Sequence, residues 1–521
     1  MTVQSITTLK SYFETGDYPT QSQFGDFIDT LNSASLYYNA EVYGLSTSNS
    51  AAANKTALQA AIDAAEAAGG GMVVIPIVGT INLDNSSSPI TIQSTGVSIV
   101  GVGRTTRLAF NTSGNDGIVI GNISSSVFRC AVRNLRITGC NNAVYLGYNT
   151  AQCYVDDLYI SSCAVGVLVQ GDYTQNPILD SINHHITRIE GEGITSRIIK
   201  LYMCGDIYIK DVQSPSPGAS AFGLLIESGT TAVYAQNCNF TSCKGGVIIR
   251  DNLGISPNPT SLPTTPRQMY FYNMQGDGCS DFGIQIENGY QINFVDSWAS
   301  GCTGGDGWVI GNSSDSIQQI ALIGCRALGN YKNGFKWVSG NTRLDSQMIG
   351  CHALSNGTSG AGTYDGIAIE ATNAGLIIDG CNSFNDTVQG LNNVQRYGIY
   401  VNAGAITNVV ISNCNLNGAN GNLSGAISYN STSHTGNTFT NNIGFNTAAY
   451  AVSPSMPSST TVFTNPYARP FLVYVNGGTV SAIKVDTITI AIATGAVFYL
   501  GAGHTVSITY SVTPNWSWVG M

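Results

Sequence analysis

Three charged residues hold matched places in a repeated phrase and could do acid–base chemistry. Glu227, Arg250 and Glu287 each fall four residues after the glycine of a Gly-apolar-any-apolar run: Gly223-Leu-Leu-Ile226, Gly246-Val-Ile-Ile249 and Gly283-Ile-Gln-Ile286. If these runs are consecutive rows of one sheet, with the Pro-rich residues 251 to 267 as an insertion, the rows lie about 4.8 Å apart and the two carboxylates about 9.6 Å apart. Hydrolysis with inversion uses two carboxyls roughly 6.5 to 9.5 Å apart, one protonated to assist the leaving group and one ionised to activate water. The same Glu-Arg-Glu row is also the simplest way to satisfy outward charges. In that case Arg250 lowers both carboxylate pKa values, the wrong direction for a general acid. Glu370 stands at the same offset after Gly366.

A second cluster gathers His184, His185, Arg188, Glu190 and Glu192. A histidine beside carboxylates could abstract the proton next to a uronate while a cation stabilises the enolate, which is the lyase reaction. Equally, His185, Thr187 and Ile189 could be alternate positions of one ordinary strand. The pair Asp156-Asp157 could serve a calcium or catalytic site, or simply cap a turn. Tyr173, Tyr208 and Trp298 are aromatic platforms on which a sugar could stack, with Arg250 and Glu370 as polar partners at the substrate. No nucleophile phrase and no His-Glu-x-x-His occur, and no two cysteines have the Cys-x-x-Cys spacing of a zinc or redox site. No cofactor is called for.

The elements that must position these groups follow from the phrase itself. It recurs at Gly117, Gly166, Gly223, Gly246, Gly283, Gly307, Gly334, Gly366 and Gly398, several of them about 23 residues apart. A unit that short, stacking only on its neighbours, is one coil of a solenoid. Alternate residues of a strand face opposite sides, so glycine plus one (Ile118, Val167, Leu224, Val247, Ile284, Trp308, Phe335, Ile367, Ile399) and glycine plus three form the stacked core. The residue between them faces out and is mostly apolar: Val119, Leu168, Leu225, Ile248, Gln285, Val309, Lys336, Ala368 and Tyr400. That stripe predicts a cover, from other copies of the chain or from its own loops.

Cys279, Cys302 and Cys325 keep the same 23-residue interval, mostly in a Gly-Cys or Asn-Cys phrase. With an odd total of 13 they read as stacked, reduced fillers. Only 10% of residues are charged, 60 are Gly, and the net charge is -10, which argues against nucleic acid and anionic membrane surfaces. Nor is there a run of about 18 apolar residues to span a membrane, and the first residues lack the basic start of a signal peptide.

Residues 1 to 39 read as two short helices, the second capped by Thr20 with Gln23 and carrying Phe24, Phe27, Ile28 and Leu31 on one face. They are either a lid on the first coil or an anchor that docks on another protein. A leading helix at about 55–68 follows, opened by Asn54-Lys-Thr56, rich in alanine, stopped by Gly69-Gly-Gly71, and succeeded by the strand Met72-Val-Val-Ile-Pro76. This segment resembles the start of the pectate-lyase-like proteins, which include bacteriophage tailspikes, although their usual acidic phrase before the helix is replaced by residues 46 to 54. The resemblance implies an all-β, right-handed parallel β-helix over 40–445 and a homotrimer. After the repeat stops, the strands 471–475, 480–485, 487–492, 497–500 and 506–510 form a small antiparallel β domain over 446–521 that looks like a tailspike cap and trimerisation domain. Trp516 and Trp518 are read there as core or interface more than as sugar platforms.

The resemblance further implies a virion tail protein made in the host cytoplasm. Its N-terminus would be held by a tail or baseplate protein, and its flank would contact bacterial surface polysaccharide. Whether such a chain hydrolyses, eliminates or only binds the polysaccharide stays open, as does an outside alternative, a bacterial polysaccharide lyase or epimerase.

Overall fold

A computed structural model describes residues 6–12, 20–24, 37–172, 180–218, 220–251, 265–312, 317–338, 343–370, 373–386, 394–401, 406–417, 421–429, 437–445, 451–465, 470–501 and 503–520. The chain forms two compact units, Met1–Ile209 and Lys210–Met521. Each is built of parallel strands winding as a right-handed β-helix, and the second ends in an antiparallel domain.

The glycine phrase makes one sheet in each unit. In the first unit its strands include Ile118–Ile120, Asn142–Leu146 and Val165–Gln170, and in the second Phe222–Ile226, Gly245–Ile249 and Phe282–Ile286. The register is in step: Val247 pairs with Leu224 on one side and Ile284 on the other. The predicted inner columns are all buried, from Ile118 to Val401, with Trp308 and Trp337 among the largest enclosed side chains. Such columns of fully buried aliphatics are the main source of stability, at roughly 1.5–3 kcal/mol for each large side chain removed from water.

The outward stripe differs from expectation. Leu168, Leu225, Ile248 and Ala368 are already 8%, 0%, 3% and 1% exposed in the single chain. The stripe is therefore covered there without a second copy, and it offers no argument for subunit packing at those rows.

The other strands, such as Ala131–Thr138, Tyr154–Ser161 and Ser181–Glu192 in the first unit, bend at residues held in the left-handed region. Asn134, Asp157 and Arg188 stack at one such corner with φ of 54°, 52° and 52°. In the second unit the same kind of corner is Asn237, Asn273, Asp296, Gly324, Gly350, Gly380, Asn413 and Asn441, one per row. Asn, Asp and Gly tolerate this conformation best. The Gly-Cys and Asn-Cys phrases are explained at once: the first residue turns the chain and the cysteine drops inward. All 13 cysteines are buried and none is in a disulfide, and Cys140 and Cys163 touch at 3.4 Å between sulfurs. A buried amide ladder accompanies them, with Asn330 Nδ2 donating to Asn356 Oδ1 at 2.9 Å.

The leading helix runs Ala51–Ala67, one turn earlier than expected. Ser50 caps it by accepting from the Ala53 amide at 3.3 Å. Asn54 is instead an interior latch, accepting from the Ser46 amide and donating to the Asn82 carbonyl. Gly69, at φ +87°, ends the helix. Upstream, Thr20 and Gln23 form the reciprocal capping box, while Phe27, Ile28 and Leu31 lie outside the described residues.

The C-terminal domain is two antiparallel sheets around Phe471, Val473, Ile483, Leu500, Ile508 and Trp518. Its strands Phe471–Asn476, Thr479–Val485, Ile488–Ala491, Val497–Leu500 and Thr505–Val512 match the sequence reading, and Asn515–Gly520 was not foreseen. Trp516 and Trp518 are core, meeting edge to face at 5.1 Å. Among the described residues, no helix is long and apolar enough to cross a membrane.

Candidate functional site

Glu227, Arg250 and Glu287 do fall in line, because Ile226, Ile249 and Ile286 pair in consecutive rows. Their environments differ. Glu227 is 1% exposed and receives both Arg250 Nη2, at 2.7 Å, and Nε, at 3.0 Å, on its Oε1. Glu287 is half-buried. Arg250 thus answers one carboxylate that solvent hardly reaches. Glu370 pairs with Lys336 at 3.1 Å, and Trp298 belongs to a different sheet, where it neighbours Gln275 and Arg326.

In the first unit the histidine cluster comes apart. Asn183 is a left-handed corner, which turns His184 fully inward and His185 outward. His184 Nδ1 accepts from the Cys153 amide at 3.2 Å, and Nε2 lies 3.0 Å from Ser181 Oγ and 3.3 Å from Thr150 Oγ1. Burial, with a smaller contribution from His185, pushes its pKa down to about 3, so it is a neutral interior ring. A base in that position cannot reach a substrate. His185 is sandwiched between Tyr154 and Tyr208, both at 4.9 Å between centroids. A second corner at Arg188 sends Ile189 inward, so His185, Thr187 and Ile189 do not share a face as simple alternation predicts. Arg188 is ion-paired with Asp156, which also accepts from Thr187, and Glu190 is held by Arg104. Tyr173 lies outside the described residues.

A site the sequence reading missed lies on the corner-bearing sheet of the second unit. Tyr234 and Tyr270 occupy consecutive rows, stacked at 5.5 Å and 5° between planes, and are 39% and 49% exposed. From Tyr270 the column continues through Asn293, Ala321 and Gln347. Ala321 is the small member, and its shortness leaves a cleft of about 240 Å³ between its neighbours. Gln291, Gln319 and Asp345 form the rim, each in the left-handed conformation at φ of 56°, 54° and 49°. A glutamine there is unusual and costs on the order of 1 kcal/mol. An aromatic face beside several amide and carboxylate groups is suited to a hydroxyl-rich ring: the apolar side of the ring covers tyrosine while its hydroxyls exchange hydrogen bonds with the rim. The signal was present in Met269-Tyr-Phe-Tyr272, whose alternation puts Met269 and Phe271 inside and Tyr270 and Tyr272 outside.

No protein-family model matches this chain, and no curated protein matches it in sequence. Solved structures do. The pre-mature gene product 12 of bacteriophage phi29 aligns with a TM-score of 0.57 and 15% identity, over 80% of this chain and 58% of that one. Tailspike protein 3 of bacteriophage CBA120 aligns with a TM-score of 0.52 and 13% identity, over 84% of this chain and 66% of that one. The A-module of mannuronan C-5 epimerase AlgE6 from Azotobacter vinelandii aligns with a TM-score of 0.52 and 12% identity, over 78% of this chain and 98% of that one. The chain therefore spans about three fifths of the phi29 protein and about two thirds of the CBA120 tailspike. Identities this low establish the fold alone: a right-handed parallel β-helix, as in the CBA120 tailspike and the AlgE6 epimerase module.

Proposed function

We propose that this chain is a bacteriophage tailspike or tail-fibre protein that binds host surface polysaccharide along the flank of its β-helix. The observation that carries the reading is the open cleft of Tyr270, Asn293, Gln319, Asp345 and Gln347, with the stacked Tyr234–Tyr270 pair beside it. The likeness in fold to phage tailspikes and to a polysaccharide-modifying module supports it. The virion tail is the corresponding location, with the N-terminal segment as the attachment to a tail or baseplate protein.

The assembly proposed is a homotrimer joined through the C-terminal domain. Ile488, Ile490 and Ile492 are 68%, 44% and 74% exposed on and beside Ile488–Ala491, the edge strand of its sheet. An exposed apolar edge calls for a partner, and symmetry supplies another copy. Light scattering should give three times 54.7 kDa, and Ile490→Lys should reduce it to the single-chain mass. A parent chain found at 54.7 kDa rules the trimer out.

Turnover is the finer question. With Glu227 enclosed and His184 interior, Glu287 is left without the second carboxyl that hydrolysis with inversion uses, and the residues proposed for catalysis reduce to His185, Arg188 and Glu190 for elimination. The purified chain is incubated with host polysaccharide, polymer length is followed by gel filtration, and ultraviolet absorbance reports any new double bond. Shortening with absorbance marks a lyase, and shortening without it a hydrolase. Unchanged length with retained binding marks a receptor-binding fibre, and absent binding refutes the proposal.

A further inference from the structure

We propose that the outer face of the first unit carries a subsite for an anionic group, and hence that the bound polysaccharide is acidic. This rests on the saccharide-binding reading and deepens it. Six of the chain's arginines fall between residues 104 and 188, and Arg107, Arg133, Arg136 and Arg188 lie on strands of the corner-bearing sheet. Arg107 and Arg136 are direct register partners in adjacent rows, and Arg136 is followed by Tyr159 and Glu190 in the same column. Arg133 lies on the same strand as Arg136, one left-handed corner away.

The charges on this face do not cancel. Arg104 serves Glu190 and Asp157, and Arg188 serves Asp156, so these three carboxylates are already matched, and Glu192, exposed at the end of the same strand, is one further acid beside the three arginines that follow. Arg107, Arg133 and Arg136 form no ion pair with a described residue, and the Nε of each is buried with no hydrogen-bond partner. Two of them sit over aromatic rings: Arg133 Cζ lies 5.1 Å from the Tyr154 ring centroid and Arg136 Cζ 4.6 Å from that of Tyr159. Arg136 Nη2 also donates to Ser161 Oγ at 3.3 Å.

Two like charges placed opposite one another in a sheet are destabilising unless something neutralises them. In a chain of net charge -10, the long-range field repels polyanions, so concentrating unmatched arginines on one flank has a local cause. A planar guanidinium packed over a tyrosine loses little freedom when its N–H groups meet a carboxylate, sulfate or phosphate. An acidic sugar residue supplies such a group on every repeat of a polymer.

The test uses affinity electrophoresis of the full chain in gels containing dextran, dextran sulfate or polygalacturonate. The parent should bind at least one polyanion tenfold or more tightly than dextran. That preference should vanish at about 1 M salt, where screening acts within about 3 Å. The double variant R107Q/R136Q should lose the preference while keeping its melting temperature, and R107K/R136K should keep part of it. Equal binding to dextran and both polyanions, or an undiminished preference in R107Q/R136Q, overturns the proposal. Host polysaccharide bound equally by the parent and R107Q/R136Q, but not by Tyr270→Ala, also overturns it and leaves the saccharide reading standing. Polyanion preference with no binding of host polysaccharide would sink that reading instead and leave the arginine subsite intact.

Discussion

The Glu227–Arg250 row and the Tyr270 cleft lie in the same unit, yet only one of them faces outward with groups to spare. Glu227 is enclosed and its charge is answered by a neighbour one coil away. In the cleft, Gln291, Gln319 and Asp345 stand at the rim beside an exposed ring, on a backbone conformation that favours glycine. A charge repeated along a solenoid is first of all a matter of stacking, since each row must satisfy the row beside it. The corners at Gln291, Gln319 and Asp345 are turns of the coil like the others, but their side chains stand at the surface beside Tyr270, where the proposed saccharide would meet them.

Breaking each region separately tests the contrast. The largest expected effect is on stability: Arg250→Ala leaves Glu227 buried without its guanidinium and should cost about 3–5 kcal/mol, read by denaturant unfolding, with glycan affinity unchanged. A loss of affinity with no loss of stability would reverse the assignment of this row.

Protonation of the interior ring comes next. The folded pKa of His184 is about 3 against an ordinary value of 6.5, so the unfolded chain binds the extra proton between these values. Stability from this group is complete above about pH 6.5 and is lost as pH falls toward 3. The melting temperature should decline across that window, and His184→Gln should remove part of the slope. A solvent-facing catalytic histidine would leave no such signature.

Tyr270→Ala should weaken polysaccharide binding about tenfold, or about 1.4 kcal/mol, by calorimetry, with little change in stability because the ring is half exposed. The smallest effect sharpens the comparison most. Gln319→Gly relieves the left-handed corner and should raise stability by up to about 1 kcal/mol while lowering affinity. If affinity is unchanged, the rim is not used.

The fold was readable because a period of about 23 residues fixes rows, and alternation within each row fixes what is inside. That logic placed Ile118 to Val401 in the core, the cysteines in stacks, and Glu227, Arg250 and Glu287 in line. It failed wherever a corner resets the alternation. The corner at Asn183 buried His184, and the one at Arg188 buried Ile189, because a left-handed residue shifts the facing of everything after it by one.

The amino-acid sequence alone thus determined the parallel β-helix, since stacking of equivalent residues is encoded locally in each repeat. Only the tertiary structure decided which outward groups are already matched and which remain open. That depends on partners a full coil or more away in sequence: Arg104 on Glu190, Arg250 on Glu227, and the gap above Ala321 between Asn293 and Gln347.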